Sequence, residues 1–175
     1  MSNGQTFGSQ LTIRDGGLFR ARGLEAPGWA TQGTAVLLDG GVLELTQAGR
    51  SFVSGLDWQQ GRVILGGSTA LNRDVLAQNL VLSAGRALEV QGELQLNPGA
   101  ALALRSGGQL QAHQLVLAGG SFEAQVQADF RSVLNWQRGQ LILVGDAQLG
   151  QGLLTTLPVL GADHQLRVEG RLTLD

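Results

Sequence analysis

The chain has 175 residues, of which 27 are Gly, 3 are Pro and none is Cys or Tyr, a length that supports one domain with a substantial core. Gly stands far above its usual ~7% while hydrophobic residues hold at 43% with no Gly-X-Y period, which excludes collagen and argues against disorder. Twelve cations, all Arg, face fourteen acids for a net charge of -2; no electrostatic footprint for nucleic acid is expected, and the absence of Cys removes disulfides, thiolate nucleophiles and Cys-ligated metals.

In chain order, the first ten residues carry neither a basic nor an apolar leader region, and no apolar run reaches the ~18 residues of a membrane helix. This chain is expected to hold no signal peptide and to make no membrane insertion. Residues 1–33 read as an irregular N-terminal coil or cap. Within them, residues 21–33 break the alternation and hold Pro27 and Trp29, as a protruding loop or a cap that keeps a sheet end from pairing with other chains. Farther on, apolar residues alternate with period two, as in Val63-Ile64-Leu65, Leu80-Val81-Leu82, Leu88-Glu89-Val90, Leu94-Gln95-Leu96, Leu102-Ala103-Leu104 and Leu115-Val116-Leu117. Period two is the signature of strands, and the Gly-Gly, Asn-Pro-Gly and Ser-Gly-Gly segments between them supply tight turns. Thr69 to Leu82 is the one stretch with a weak helical stripe. The chain reads as all-β.

A duplication dominates the second half. Residues 51–97 overlay residues 129–175 at an offset of 78 without a gap, and nineteen of the forty-seven pairs are identical. Residues 34–112 form a first long repeat and residues 113–175 a second, truncated one. Double glycines recur at intervals of 24 to 27, and one third of 78 is 26. A coil of that length with three short strands is what a parallel β-helix requires. About seven coils of roughly 24–27 residues, rising ~4.8 Å each, would place Trp58 and Trp136 on one face, three coils apart. An antiparallel sandwich is disfavoured because Asn3-Gly4, the one hairpin signal, precedes the first strand.

The stretch Gly85 to Leu104 (GRALEVQGELQLNPGAALAL) resembles the degenerate repeats of bacterial surface adhesins, including filamentous-haemagglutinin-type exoproteins and autotransporter passengers. The element Phe52-x-x-x-Leu56-x-Trp58-x-x-Gly61, repeated at Phe130, Leu134, Trp136 and Gly139, is similar to the Asn-Trp-x-Gly-Gly units of very large secreted proteins. The resemblance implies a right-handed, three-sided coil acting as a rigid rod or binding scaffold. It implies an extracellular or cell-surface location as part of a larger secreted protein, and a glycan or cell-surface receptor as partner.

Little in the sequence promises chemistry. Trp58 and Trp136 could stack on sugars, but the Leu56-x-Trp58 alternation assigns both to the core beside Phe52 and Phe130. Glycoside hydrolysis needs paired carboxylates, and Asp57 matches Asn135 in the second copy. The polar cluster Asn72-Arg73-Asp74 would suit a polysaccharide lyase, against the plainer reading of a solvated turn. His113 and His164 stand 51 positions apart without ligand spacing around either, so no metal is expected. No nucleophile elbow, phosphate loop or zinc motif occurs. No catalytic, cofactor-binding or metal residue is therefore assigned, and Trp29, Asn72, Arg73 and Asp74 are the candidate ligand contacts. The expected function is a non-enzymatic structural or adhesive segment. The alternatives are a carbohydrate-active β-helix, as lyase or glycoside hydrolase, and a phage or fibre component that self-associates through the C-terminal coil edge near Leu172 to Asp175.

Overall fold

A computed structural model describes residues 11–23, 36–47, 56–71, 76–148, 153 and 159–173. Its strands are β1 (Leu11–Arg14), β2 (Leu18–Ala21), β3 (Val36–Leu45), β4 (Leu56–Leu65), β5 (Thr69–Ala70), β6 (Asn79–Leu82), β7 (Arg86–Leu96), β8 (Ala101–Leu104), β9 (Gln109–Gln125), β10 (Asp129–Val144), β11 (Ala147–Gln148), β12 (His164–Glu169) and β13 (Leu172–Thr173). Every ladder among the described residues is parallel, and no α-helix is present among them. The result is a β-solenoid of about six turns. Within the N-terminal region, β1 and β2 form an ordinary rung, both paired to β3. The weakly helical stretch is strand at both its ends, in β5 and β6; Thr69 and Ala70 are buried in β5, and in β6 Leu80 and Leu82 point inward while Val81 faces out.

Each turn visits three columns of stacked strands. The most continuous runs through six rungs, Leu18↔Val42↔Arg62↔Ala87↔Gln109↔Asp129. A second column joins Thr69–Ala70 to Leu94–Gln95, and Leu94–Leu96 to Leu115–Leu117 and Leu134–Trp136. The third runs Leu80↔Leu102↔Phe122↔Leu141↔Leu166. The segment Leu56–Gln60, paired to Val36–Asp39, takes the same place in an earlier turn of this third column. There Arg86 bridges the gap between rungs, its Nε donating to Gln59 O and its Nη1 to Val81 O, both at 3.1 Å.

Alternation decides which side of each strand forms the core. Leu43, Val63, Leu88 and Leu110 stack in one inward ladder, each no more than 1% exposed. Leu82, Leu104, Ala124 and Leu143 make another, at 2% or less. Each fully buried Leu contributes about 1.5–3 kcal/mol relative to exposure. Phe122 fills the middle of the rod and meets the Phe130 ring at 5.5 Å between centroids.

Glycine turns the corners. Gly61 and Gly139 hold φ of 106° and 102°, a region that costs an L-residue roughly 1–2 kcal/mol. A Cβ on either would stand 2.4 Å from a carbonyl oxygen of the turn below, Gly41 O and Gly120 O respectively. Strands therefore pass through corners without ending: β9 runs 17 residues and contributes to all three columns.

The duplication is present in three dimensions. Gly61–Leu65 pair with Arg86–Val90, and the corresponding segment of the second copy, Gly139–Leu143, pairs with His164–Val168, the counterpart of the same partner. The β5–β7 and β11–β13 ladders repeat this relation. Ser68 Oγ accepts from Glu93 N at 3.0 Å, and at the equivalent place Asp146 Oδ1 accepts from Arg171 N at 2.8 Å.

Several turns are shorter than the glycine spacing predicts. Along the six-rung column the step from Arg62 to Ala87 has the expected length, but those from Val42 to Arg62, Ala87 to Gln109 and Gln109 to Asp129 all fall below it. Three turns above Arg62 thus stands Asp129, whereas its counterpart in the second copy is Gln140, in the third column opposite Ser121. One copy of the duplication therefore makes three turns and two further faces. Trp58 pairs with Leu38 in the third column, and Trp136 pairs with Leu117 in the second. The two Trp residues do not share a face, because the corners take fewer residues than glycine spacing suggests.

Candidate functional site

Both Trp residues belong to the interior. Trp58 is 7% exposed and its Nε1 donates to Gly61 O at 3.3 Å, while Trp136, packed against the same core, repeats the bond to Gly139 O at 3.2 Å. Each indole closes its own corner and satisfies its one donor inside.

The histidines part company. His113 lies exposed in the bulge between Ala112 and Gln114. His164 opens β12, its ring edge-on to Trp136 at 5.3 Å and its Nε2 3.3 Å from Trp136 O. Its Nδ1 is enclosed and has no partner among the described residues. No group of three or more His, Cys, Asp or Glu among the described residues could hold a metal ion. Asp57 is exposed and meets the Gln59 amide at 3.5 Å. Trp29, Asn72, Arg73 and Asp74 lie outside the described residues.

Five local ion pairs hold part of the charge on the described surface. Arg20 meets Glu44 at 2.8 Å, Arg62 meets Glu89 at 3.8 Å, Arg131 meets Asp129 at 2.7 Å, Arg167 meets Glu169 at 2.8 Å, and Arg105 pairs with Glu123. The shallow depression of about 40 Å³ on the six-rung face is lined by members of these pairs, notably Arg62, Glu89, Asp129 and Arg131.

A larger concavity lies at the corner between the second and third columns. It is an open groove of about 600 Å³ that crosses four successive turns, from Pro98–Ala101 through Gly119–Ser121 and Arg138–Gln140 to Ala162, Asp163 and Gln165. That volume lies in the range of small-molecule sites. Its floor is small because the corners stack so closely. A Cβ at Gly120 would come within 2.7 Å of Ala100 O, as the one at Gly139 would meet Gly120 O. Above the floor, Ser121, Gln140 and Gln165 occupy one ladder, one to each turn, at the ~4.8 Å spacing of adjacent strands.

The rim carries the charges. Arg138 is exposed and its Nε donates to Ala118 O at 3.0 Å, which anchors the guanidinium at the groove mouth. Asp163 is exposed, and its backbone carbonyl accepts from Gly139 N at 2.8 Å. Among the described residues neither Arg138 nor Asp163 forms an ion pair, and the side chains of Ser121, Gln140 and Gln165 form no hydrogen bond. Five polar side chains thus line one concavity; the Arg138 Nε is engaged by Ala118 O, and the remaining guanidinium donors and the other four side chains offer donors and acceptors with no side-chain partner among the described residues.

None of these five was singled out by sequence. Two sit just after glycine corners, in Gly120-Ser121 and Gly139-Gln140, but successive ladder members lie a whole turn apart in the chain and the two intervals are unequal. That alignment becomes visible only when the turn length is known. The chain matches no protein-family model, no curated protein sequence and no solved structure, so its functional reading rests on these residues.

Proposed function

We propose that the chain is a non-enzymatic rigid scaffold, a structural or adhesive segment of a bacterial surface or secreted protein, which presents the corner groove to a partner. The observation that carries this reading is the chemistry of the groove. It holds one carboxylate, Asp163, among the described residues, whereas glycoside hydrolysis uses a pair at ~5 Å or ~6.5–9.5 Å. The groove is open, so it excludes little water and offers a reacting group no low-dielectric enclosure. The other described charges are spread along the rod, five pairs of them as local ion pairs, as expected of a solvated surface. Stability comes from the inward ladders, each turn resting on its neighbours, and this leaves the polar faces free to vary.

The test is incubation of the chain with neutral and uronate polysaccharides, followed by chain-length analysis and ultraviolet detection of unsaturated sugar ends. Unchanged polymers are expected. Shortened chains or lyase products, lost on substitution of Asp163 or Arg138, would overturn the non-enzymatic reading.

A further inference from the structure

We infer that the corner groove binds a linear, uncharged oligosaccharide lying along the rod axis, with one sugar unit to each turn. This rests on the scaffold reading and names the class of partner.

An anionic ligand would be held by Arg138 but opposed by Asp163, one turn away, and a cationic ligand would meet the reverse. Since both groups are unpaired among the described residues, the lining is charge-balanced and asks for a neutral partner carrying many donors and acceptors. A greasy ligand is unsuited, because Pro98 and small residues are the apolar lining of the groove among the described residues. An extended peptide adding to a sheet edge is also unsuited. The backbone at this corner is already engaged from turn to turn, with Ser121 N donating to Ala100 O at 2.9 Å and Gly139 N to Asp163 O at 2.8 Å. What remains is a polyol. Planar carboxamide, carboxylate and guanidinium groups each bridge vicinal hydroxyls, and together they give and receive hydrogen bonds.

Spacing supplies the direction. Ser121, Gln140 and Gln165 lie on one ladder across successive turns, so their side chains repeat every ~4.8 Å along the axis. That repeat is close to the length of one pyranose unit in an extended chain. Four turns contribute to the groove, enough to span about 14 Å between the first and last, which suits a tetrasaccharide and gives a monosaccharide few of the available contacts.

The experiment is a titration of the whole ¹⁵N-labelled chain with linear neutral tetrasaccharides of β-1,4- and β-1,3-linked glucose, of xylose and of mannose, read by heteronuclear spectra. Shifts are expected at amides of residues 99–101, 119–121, 138–140 and 162–165, with at least one tetramer binding clearly more tightly than its monosaccharide. A double variant, Gln140→Ala with Gln165→Ala, should keep the unfolding midpoint and weaken that binding about tenfold or more, the equivalent of ~1.4 kcal/mol. Shifts elsewhere on the rod, binding restricted to uronate tetramers, or no shift with any neutral tetramer would each overturn the assignment. Cleavage of a bound tetramer during the titration would leave the ligand class standing and overturn the scaffold reading alone.

Discussion

At the scale of single residues, two glycines separate the cost of a backbone angle from the cost of a collision. Gly16 has φ 74° with open space where a Cβ would go, whereas Gly139 has φ 102° and a carbonyl oxygen 2.4 Å from that position. Gly16→Ala should cost about 1 kcal/mol, the conformational term alone. Gly139→Ala should cost about 3 kcal/mol or more, since a backbone oxygen cannot rotate away. Urea unfolding of the two variants checks this, and equal losses would mean that the corner relaxes. The buried indole gives a second contrast: Trp58→Ala should lose about 3–5 kcal/mol, and Trp136→Ala less, because Trp136 is only partly buried. The interior place of both was readable from Leu56-x-Trp58 and Leu134-x-Trp136, because alternation states directly which side of a strand is inward. The roles of Arg138, Gln140, Asp163 and Gln165 were not readable, because nothing in their own neighbourhoods marks them.

At the scale of elements, inward and outward positions on the strands should respond very differently. Leu117 is 0% exposed and stands between Leu96 and Trp136 on one ladder, so Leu117→Ala should cost about 2–5 kcal/mol by leaving a cavity shared by three turns. Arg20, whose side chain is 63% exposed in its pair with Glu44, should cost less than about 1 kcal/mol on change to Ala. Thermal melts of both variants would show it, and a comparable drop for Arg20→Ala would mean that the outer ladder matters more than its exposure suggests. Strands and their inner faces were legible because period two survives wherever one side is buried. Turn length was not. Corners between Leu104 and Gln109, or between Gln125 and Asp129, differ in the residues they use. A corner needs only a backbone that bends, which Gly-Gly, Asn-Pro-Gly and Ala-Asp-His all manage here. The spacing of double glycines therefore overstated the turn and misplaced Trp136 by one face.

At the scale of the whole molecule, a rod with nearest-neighbour stacking should not open uniformly. Strands β7 and β9 have partners on both sides, whereas β12 pairs only with β10 among the described residues, and its inward Leu166 and Val168 are only partly buried. Amide hydrogen exchange followed by mass spectrometry should find the slowest exchange in residues 87–90 and 109–117 and the fastest in residues 164–173. One rate along the whole rod would instead point to a single cooperative unit. The duplication has a consequence at this scale too. Because it spans three turns and two faces, it acts as a vernier: each further copy of the unit would set its motifs back by one third of a circuit. Three copies, or eleven turns and roughly 50 Å of rise, would bring a motif back to its starting azimuth. Lengthening by this unit would wind repeated features around the rod as a staircase open to partners from every side, and the interior would accept each step because all three faces line it with Leu.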